Sequence, residues 1–176
     1  LGFGKVGFNT AHHLLKEGAT LVAADISEDA VAKAKELGAR IVNPEELYDV
    51  PCDIFSPCAL GGVLNGQTIP RLKCKIVAGG ANNQLLTEED GDALQKRGIL
   101  YAPDFIINAG GVINVSCEIG RPYDAEVARE KTTRIYETMQ NVIAISRKEG
   151  ITTARAADKL AQARIDSVRA VRRTYR

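Results

Sequence analysis

Three glycines and the pattern that follows them restrict this chain more than any other feature. The opening stretch "LGFGKVG" spaces Gly2, Gly4 and Gly7 as G-x-G-x-x-G. Val6 to Glu17 then reads as a helix, because Gly7, Ala11, Leu14, Leu15 and Gly18 recur at helical spacing. "ATLVAAD" is a nearly continuous apolar run ending in an acid, the pattern of a parallel strand buried on both faces. In "SEDAVAKAKELGA", Ser27 is placed to cap a helix, acids fill the first turn, and Gly38 stops it.

The alternation continues through "ARIV", a short helix in "PEELYDV", strands with loops in "CDIFSPCA" and "CKIVAGGANN", a helix in "TEEDGDALQKRG", and the strand "ILYAPDF". Short apolar strands alternating with helices predict an α/β fold: a Rossmann-type doubly wound parallel sheet, followed by long C-terminal helices. Only Leu1 precedes the glycines, so the first strand of that sheet is expected to be largely missing. From "NAGGVINV" onward the chain reads as helical, with two long amphipathic helices broken at Gly150. The expected division is residues 1–120 as a nucleotide-binding domain and 121–176 as C-terminal helices.

Composition narrows the partners. The chain has 176 residues, a formal net charge of +1, and no apolar run near the roughly 20 residues that span a bilayer. Near-neutral charge gives no electrostatic case for nucleic acid or an anionic membrane, and the basic tail "RAVRRTYR" reads as a solvated helix end. Cys52, Cys58, Cys74 and Cys117 form no C-x-x-C pair and have no histidine at metal-ligand spacing. They are expected to be free, mostly buried thiols of a cytoplasmic protein with no metal. His12 and His13 are adjacent, so a helix would point them in different directions.

In a dinucleotide-binding fold the first glycine permits a tight turn and the second lets backbone approach a pyrophosphate. The third lets the helix pack closely on the strand, with the phosphates at the helix N-terminus. A following helix, a second strand and an acid about 20 residues on complete the pattern. All three are present, and the acid is Asp25. A carboxylate there accepts from a free ribose 2′-hydroxyl and repels a 2′-phosphate; "DISED" offers no Arg or Lys to offset this. NAD is therefore expected over NADP. Three further loops, "SPCALGG", "AGGANNQL" and "NAGGVINV", follow expected strand ends and mix small residues with amides and thiols, as a cleft for a planar ring would. Asn108 is expected to cap a helix beginning at Ala109, with Gly110 and Gly111 exposing backbone N–H groups to a ligand.

"CDIFSPCALGG", "IVAGGANNQL" and "APDFIINAGGVINV", in this order after the glycine loop, resemble the NAD-binding domain of the glutamate, leucine, phenylalanine and valine dehydrogenases. Within that family the leucine branch is the most similar, and the match runs over essentially the whole chain. The resemblance implies oxidative deamination of an L-amino acid to a 2-oxo acid and ammonia, with hydride passing to NAD. It implies a separate N-terminal substrate domain that carries the catalytic lysines and aspartate. No G-G-x-K-G-G stretch occurs here, so no catalytic residue is assigned to this chain. A homo-oligomer is implied for the full-length protein.

Residue by residue, the resemblance assigns Gly2, Gly4, Lys5, Val6 and Gly7 to the pyrophosphate and Asp25 with Ile26 to the adenosine ribose. Cys58, Ala59 and Leu60 line the adenosine or ribose side, and Ala81, Asn82 and Asn83 the nicotinamide ribose. Asn83 also matches a substrate contact, and Asn108 a position near the nicotinamide carboxamide. Val112 and Val115 match positions lining the substrate side-chain pocket; ordinary core aliphatics are their alternative reading. "NVSCEIG" departs from the glutamate enzymes and argues against a glutamate substrate. Leu1, Gly80 and Asn82 depart from the leucine pattern and "GGANN" leans toward the phenylalanine enzymes, leaving open which apolar amino acid is used. A non-catalytic dinucleotide-sensing module is the competing class, but it has no use for the loops on the nicotinamide side.

Overall fold

The computed structural model describes residues 1–120 and 122–174, and it divides into two compact units, Leu1–Asn108 and Ala109–Arg176. The division falls before the boundary expected at residue 120, so the glycine-rich helix after Asn108 belongs with the C-terminal helices.

In the first unit, α1 (Lys5–Lys16) leads to β1 (Val22–Ala23), α2 (Glu28–Glu36) and β2 (Arg40–Ile41). A 3-10 turn at Glu46–Asp49 precedes β3 (Ile54–Phe55), and another at Ile69–Arg71, unforeseen in the sequence, precedes β4 (Ile76–Val77). Then follow α3 (Glu88–Lys96), β5 (Leu100–Tyr101) and a single helical turn, α4 (Asp104–Ile107). Local chemistry sets the helix ends. The Ser27 hydroxyl accepts from the Ala30 N–H, and Thr87 with Asp90 forms a reciprocal capping box at the start of α3. Gly38 and Gly98 end α2 and α3 with positive φ.

All strand pairs are parallel, as expected from buried apolar runs joined by helical crossovers. They form two sheets rather than one continuous sheet: β1–β2, and β3–β4–β5. Between them run residues 1–3. The Gly2 N–H donates to Ala24 O at 2.9 Å on the β1 side, while the Cys58 N–H donates to Leu1 O at 2.7 Å on the β3 side. Below these residues a groove of about 560 Å³ separates Val22 from Ile54 and Phe55. Each sheet has its own core. The β1–β2 core is alanine-rich, with Ala11, Ala23, Ala30 and Ala34 letting α1 and α2 lie close to the strands. Larger side chains, among them Phe55, Leu64, Val77 and Leu94, fill the core around β3–β5.

The second unit is helical: α5 (Gly110–Ser116), α6 (Ala125–Glu149) and α7 (Thr153–Thr174). Asp124 caps α6 by accepting from the Glu126 and Val127 N–H groups, and Gly150 ends it at φ +70°. Thr132 lies 3.6 Å from where a Cβ on Gly110 would sit, so the missing side chain lets α5 approach α6. Tyr175 and Arg176, the end of the expected last helix and of the basic tail, lie outside the described residues. Among the described residues no helix is long and apolar enough to cross a membrane.

Candidate functional site

The three glycines of the opening loop have three different surroundings. Gly2 has φ +86°, and a Cβ there would lie 2.6 Å from Ala59 Cβ. A Cβ on Gly7 would lie 2.1 Å from Gly2 O, so helix and loop meet backbone to backbone. A Cβ on Gly4 would meet nothing within 4 Å. Gly4 is also the N-cap of α1 and brings no side-chain cap, so the first-turn N–H groups of a 12-residue helix face open space. An uncapped helix N-terminus beside that space favours an anion.

Asp25 closes one side. Its Oδ2 accepts from the Phe3 N–H at 2.5 Å and its Oδ1 from the Ser27 N–H at 2.8 Å. Burial works to raise its pKa, but hydrogen bonds from Phe3, Ser27 and Ile26 outweigh it, leaving the carboxyl below the ordinary aspartate value. Asp25 is therefore an anion that ties the glycine loop to the end of β1, a structural task its sequence position did not reveal. The neighbouring Ile26 side chain is 94% exposed, so only its backbone is placed near this carboxylate.

The loop after β3 lies over the glycines. Ala59 is the residue that Gly2 must avoid, and Cys58 Sγ accepts from the Gly80 N–H at 3.5 Å. Leu60 projects outward, 76% exposed. The loop after β4 crosses next: Val6 Cγ1 is 2.5 Å from where a Cβ on Gly80 would sit, and the Ala81 N–H donates to Pro57 O at 3.0 Å. Lys5 is exposed on the first turn of α1. Asn82 and Asn83 are exposed, and Asn83 takes φ +51°, the left-handed region that asparagine tolerates better than most residues. Beneath them Gln84 is fully buried and donates to Gly79 O and Ala81 O. Sequence reasoning passed over Gln84; its only signal was a polar residue directly after a small-residue loop.

The expected role of Asn108 as a helix cap is corrected. It ends α4, a helical turn that was not anticipated, and its Nδ2 donates to Asn82 Oδ1 at 2.6 Å. Its amide is thus committed to the neighbouring loop, and α5 begins after Ala109 with no side-chain cap. Gly2, Val6, Gly7, Cys58, Ala59, Gly80, Asn82 and Asn108 accordingly form one chain of contacts along the C-terminal ends of β1, β3, β4 and β5.

Val112 and Val115 belong to the second unit. They are 75% and 59% exposed on α5, so they are not core aliphatics. Of the four cysteines only Cys117 is buried, and Cys52, Cys58 and Cys74 are half-buried, which corrects the expectation of mostly buried thiols. Burial pushes the Cys52 and Cys74 thiols up in pKa, keeping them protonated.

Comparison with known proteins identifies the family. The family model described as Glutamate/Leucine/Phenylalanine/Valine dehydrogenase matches residues 27–174. A leucine dehydrogenase of Geobacillus stearothermophilus is 47% identical over 175 residues, covering 99% of this chain and 47% of that protein. One from Bacillus cereus is 49% identical over 175 residues, covering 99% of this chain and 48% of that protein. The crystal structure of L-tryptophan dehydrogenase from Nostoc punctiforme superimposes with a TM-score of 0.90 at 45% identity, over 94% of this chain and 51% of that one. The chain spans about half the length of the curated relatives it matches. It belongs to the glutamate/leucine/phenylalanine/valine dehydrogenase family.

Proposed function

We propose that this chain is the NAD-binding part of a dehydrogenase that oxidatively deaminates an apolar L-amino acid to its 2-oxo acid and ammonia. The observation that carries the reading is the open space at Gly4, between the uncapped N-terminus of α1 and the ionised Asp25. That space suits a pyrophosphate and the carboxylate suits a ribose diol, so the residues present fit a dinucleotide. When bound, the nicotinamide accepts the hydride from the substrate. The first-turn amides from Lys5 to Gly7 hold the phosphates, and Asp25 selects the free 2′-hydroxyl. Cys58, Ala59 and Leu60 border the adenosine side; Ala81, Asn82, Asn83 and Asn108 orient the nicotinamide half.

The general base and the substrate carboxylate contacts belong, on this reading, to a separate substrate domain. Asn83 would offer the substrate a polar contact, and the exposed Val112 and Val115 would offer apolar surface on α5. An apolar substrate is favoured because the relatives named here act on leucine and tryptophan by name. The same reading makes the two sheets halves of one Rossmann-type doubly wound sheet, with residues 1–3 running between them. It places the full-length protein in the cytoplasm as a homo-oligomer, with the C-terminal helices lying back toward the substrate domain.

The test is calorimetric titration of the 176-residue chain with NAD, NADP and ADP-ribose. NAD is expected to bind most tightly, with ADP-ribose weaker for want of the nicotinamide and NADP weaker for its 2′-phosphate. NADP binding as tight as NAD would overturn the role given to Asp25, and failure of all three would overturn the cofactor reading. A sensing module would bind ADP-ribose as well as NAD, having no use for the Asn82–Asn108 side.

A further inference from the structure

A buried polar network lies beneath the exposed loop Gly79–Asn83, and Gln84 is its centre. Its side chain is 0% exposed, and Nε2 donates to Gly79 O at 2.6 Å and to Ala81 O at 3.0 Å. Its backbone N–H donates to Asp104 Oδ2 at 3.2 Å, and its carbonyl accepts from the Leu64 N–H at 2.9 Å. Asp104 is buried in turn, accepting from the Phe105 N–H at 3.0 Å and the Tyr101 hydroxyl at 3.3 Å. One residue thus touches the segment after β3, the loop after β4 and the start of α4, whose C-cap is Asn108.

Two observations indicate that Gln84 is kept for its hydrogen-bond donors rather than for its bulk. A buried polar side chain costs stability unless each polar atom is paired, and Gln84 Oε1 has no partner among the described residues. An apolar side chain of the same length would fill the space without that cost. The loop it serves is also irregular: residues 79–83 lie outside every helix and strand, and Asn83 sits at φ +51°. A single NH2 group gripping two carbonyls of one loop holds that turn from the inside.

We propose that Gln84 is a positioning residue, whose amide holds Gly79–Asn83 in the one conformation that presents Asn82 and Asn83 to the nicotinamide half of the cofactor. This rests on the reading of the site as an NAD cleft. Gln84 touches no ligand itself; it acts through the Gly79 and Ala81 carbonyls.

The experiment is Gln84→Met in the 176-residue chain, which keeps the length and removes the donors. NAD and ADP are titrated by calorimetry, and backbone amide exchange is followed across residues 79–83 and across β3–β5. The Kd for NAD should rise about tenfold, within what the two lost hydrogen bonds to Gly79 O and Ala81 O supply. ADP, which lacks the nicotinamide and its ribose, should change by less than about twofold. Exchange should accelerate at Ala81 and its neighbours while β3–β5 stay protected. Equal weakening of both ligands with loosened strands would overturn the proposal by showing a purely structural role. Unchanged NAD affinity and unchanged loop exchange would overturn it as well. If the parent chain binds neither ligand, the NAD reading fails, while loop exchange still decides what Gln84 holds. Should Gln84→Met not fold, Asp104→Asn disturbs the anchor of the Gln84 backbone and should give the same pattern at smaller size; a uniform loss there refutes the proposal.

Discussion

Alanine at each glycine of the opening loop separates space reserved for a ligand from space taken up by packing. At Gly4 the backbone has φ −68°, which alanine adopts freely, and the added Cβ meets nothing within 4 Å. Alanine is a poorer N-cap than glycine, but it also restricts the unfolded chain, so the two effects nearly cancel to within about 0.5 kcal/mol. At Gly2 the left-handed φ of +86° costs an L-residue about 1–2 kcal/mol. The new Cβ would also lie 2.6–2.8 Å from Ala59 Cβ, N and Cα, and relieving that overlap costs about 1–3 kcal/mol more. The Gly2→Ala penalty is thus about 2–5 kcal/mol, and a chain of this size loses about 2–4 °C in Tm per kcal/mol. Gly7→Ala should cost at least as much, because its Cβ would lie 2.1 Å from Gly2 O and only a backbone shift relieves that. NAD affinity should follow a different order. Gly4→Ala fills the space before the first-turn amides and should weaken NAD about tenfold or more while the fold stays intact. Urea unfolding followed by circular dichroism, with calorimetric titration of the same samples, measures both orders. Gly4→Ala losing as much stability as Gly2→Ala, or binding NAD at parental affinity, would refute the reasoning.

Asp25→Asn should destabilise the chain by about 1.5–3 kcal/mol near neutral pH, because one amide cannot accept from both the Phe3 and Ser27 N–H groups. Since the folded-state pKa is lowered, that stability is present above the unfolded value near 3.9 and is lost as pH falls through the folded value. The penalty measured by urea titration should therefore be constant between about pH 5 and 7 and shrink below about pH 4; a penalty that does not change with pH would remove the charge from the account. In a full-length enzyme containing this chain, Asp25→Ser should lower kcat/KM for NAD far more than for NADP, and an unchanged ratio would take Asp25 out of the ribose site. Val112→Ala in that enzyme should shift preference from branched aliphatic toward larger or aromatic amino acids by about ten- to a hundredfold; equal loss for every substrate would mean that Val112 does not line the pocket. The 176-residue chain alone should bind NAD weakly and deaminate neither leucine, valine nor phenylalanine; robust turnover would refute the assignment of the catalytic groups to another domain.

The amino-acid sequence by itself determined what depends on neighbours along the chain. Helix starts at Ser27, Thr87 and Asp124 and stops at Gly38 and Gly150 follow from side chains within a few residues of the backbone groups they satisfy. The parallel strands were legible as short apolar runs alternating with helical patterns, although the structure leaves Arg40 of β2 and Ile54 of β3 exposed rather than burying both faces. The glycine spacing announced the loop because each glycine answers a local backbone demand, and the family was readable in the loops that follow the strands. What only the tertiary structure decided depends on residues far apart in sequence. Asn108 was expected to cap the next helix; its amide instead reaches Asn82, and a side chain with two partners in reach cannot be assigned from its own segment. Asp25 reads as a ribose ligand from its strand-end position, whereas its bond to Phe3 spans 22 positions and has no local signature. Gln84 stayed silent for the same reason: its importance lies in joining Gly79, Leu64 and Asp104, which are neighbours only after the strands have paired and drawn their ends to one edge.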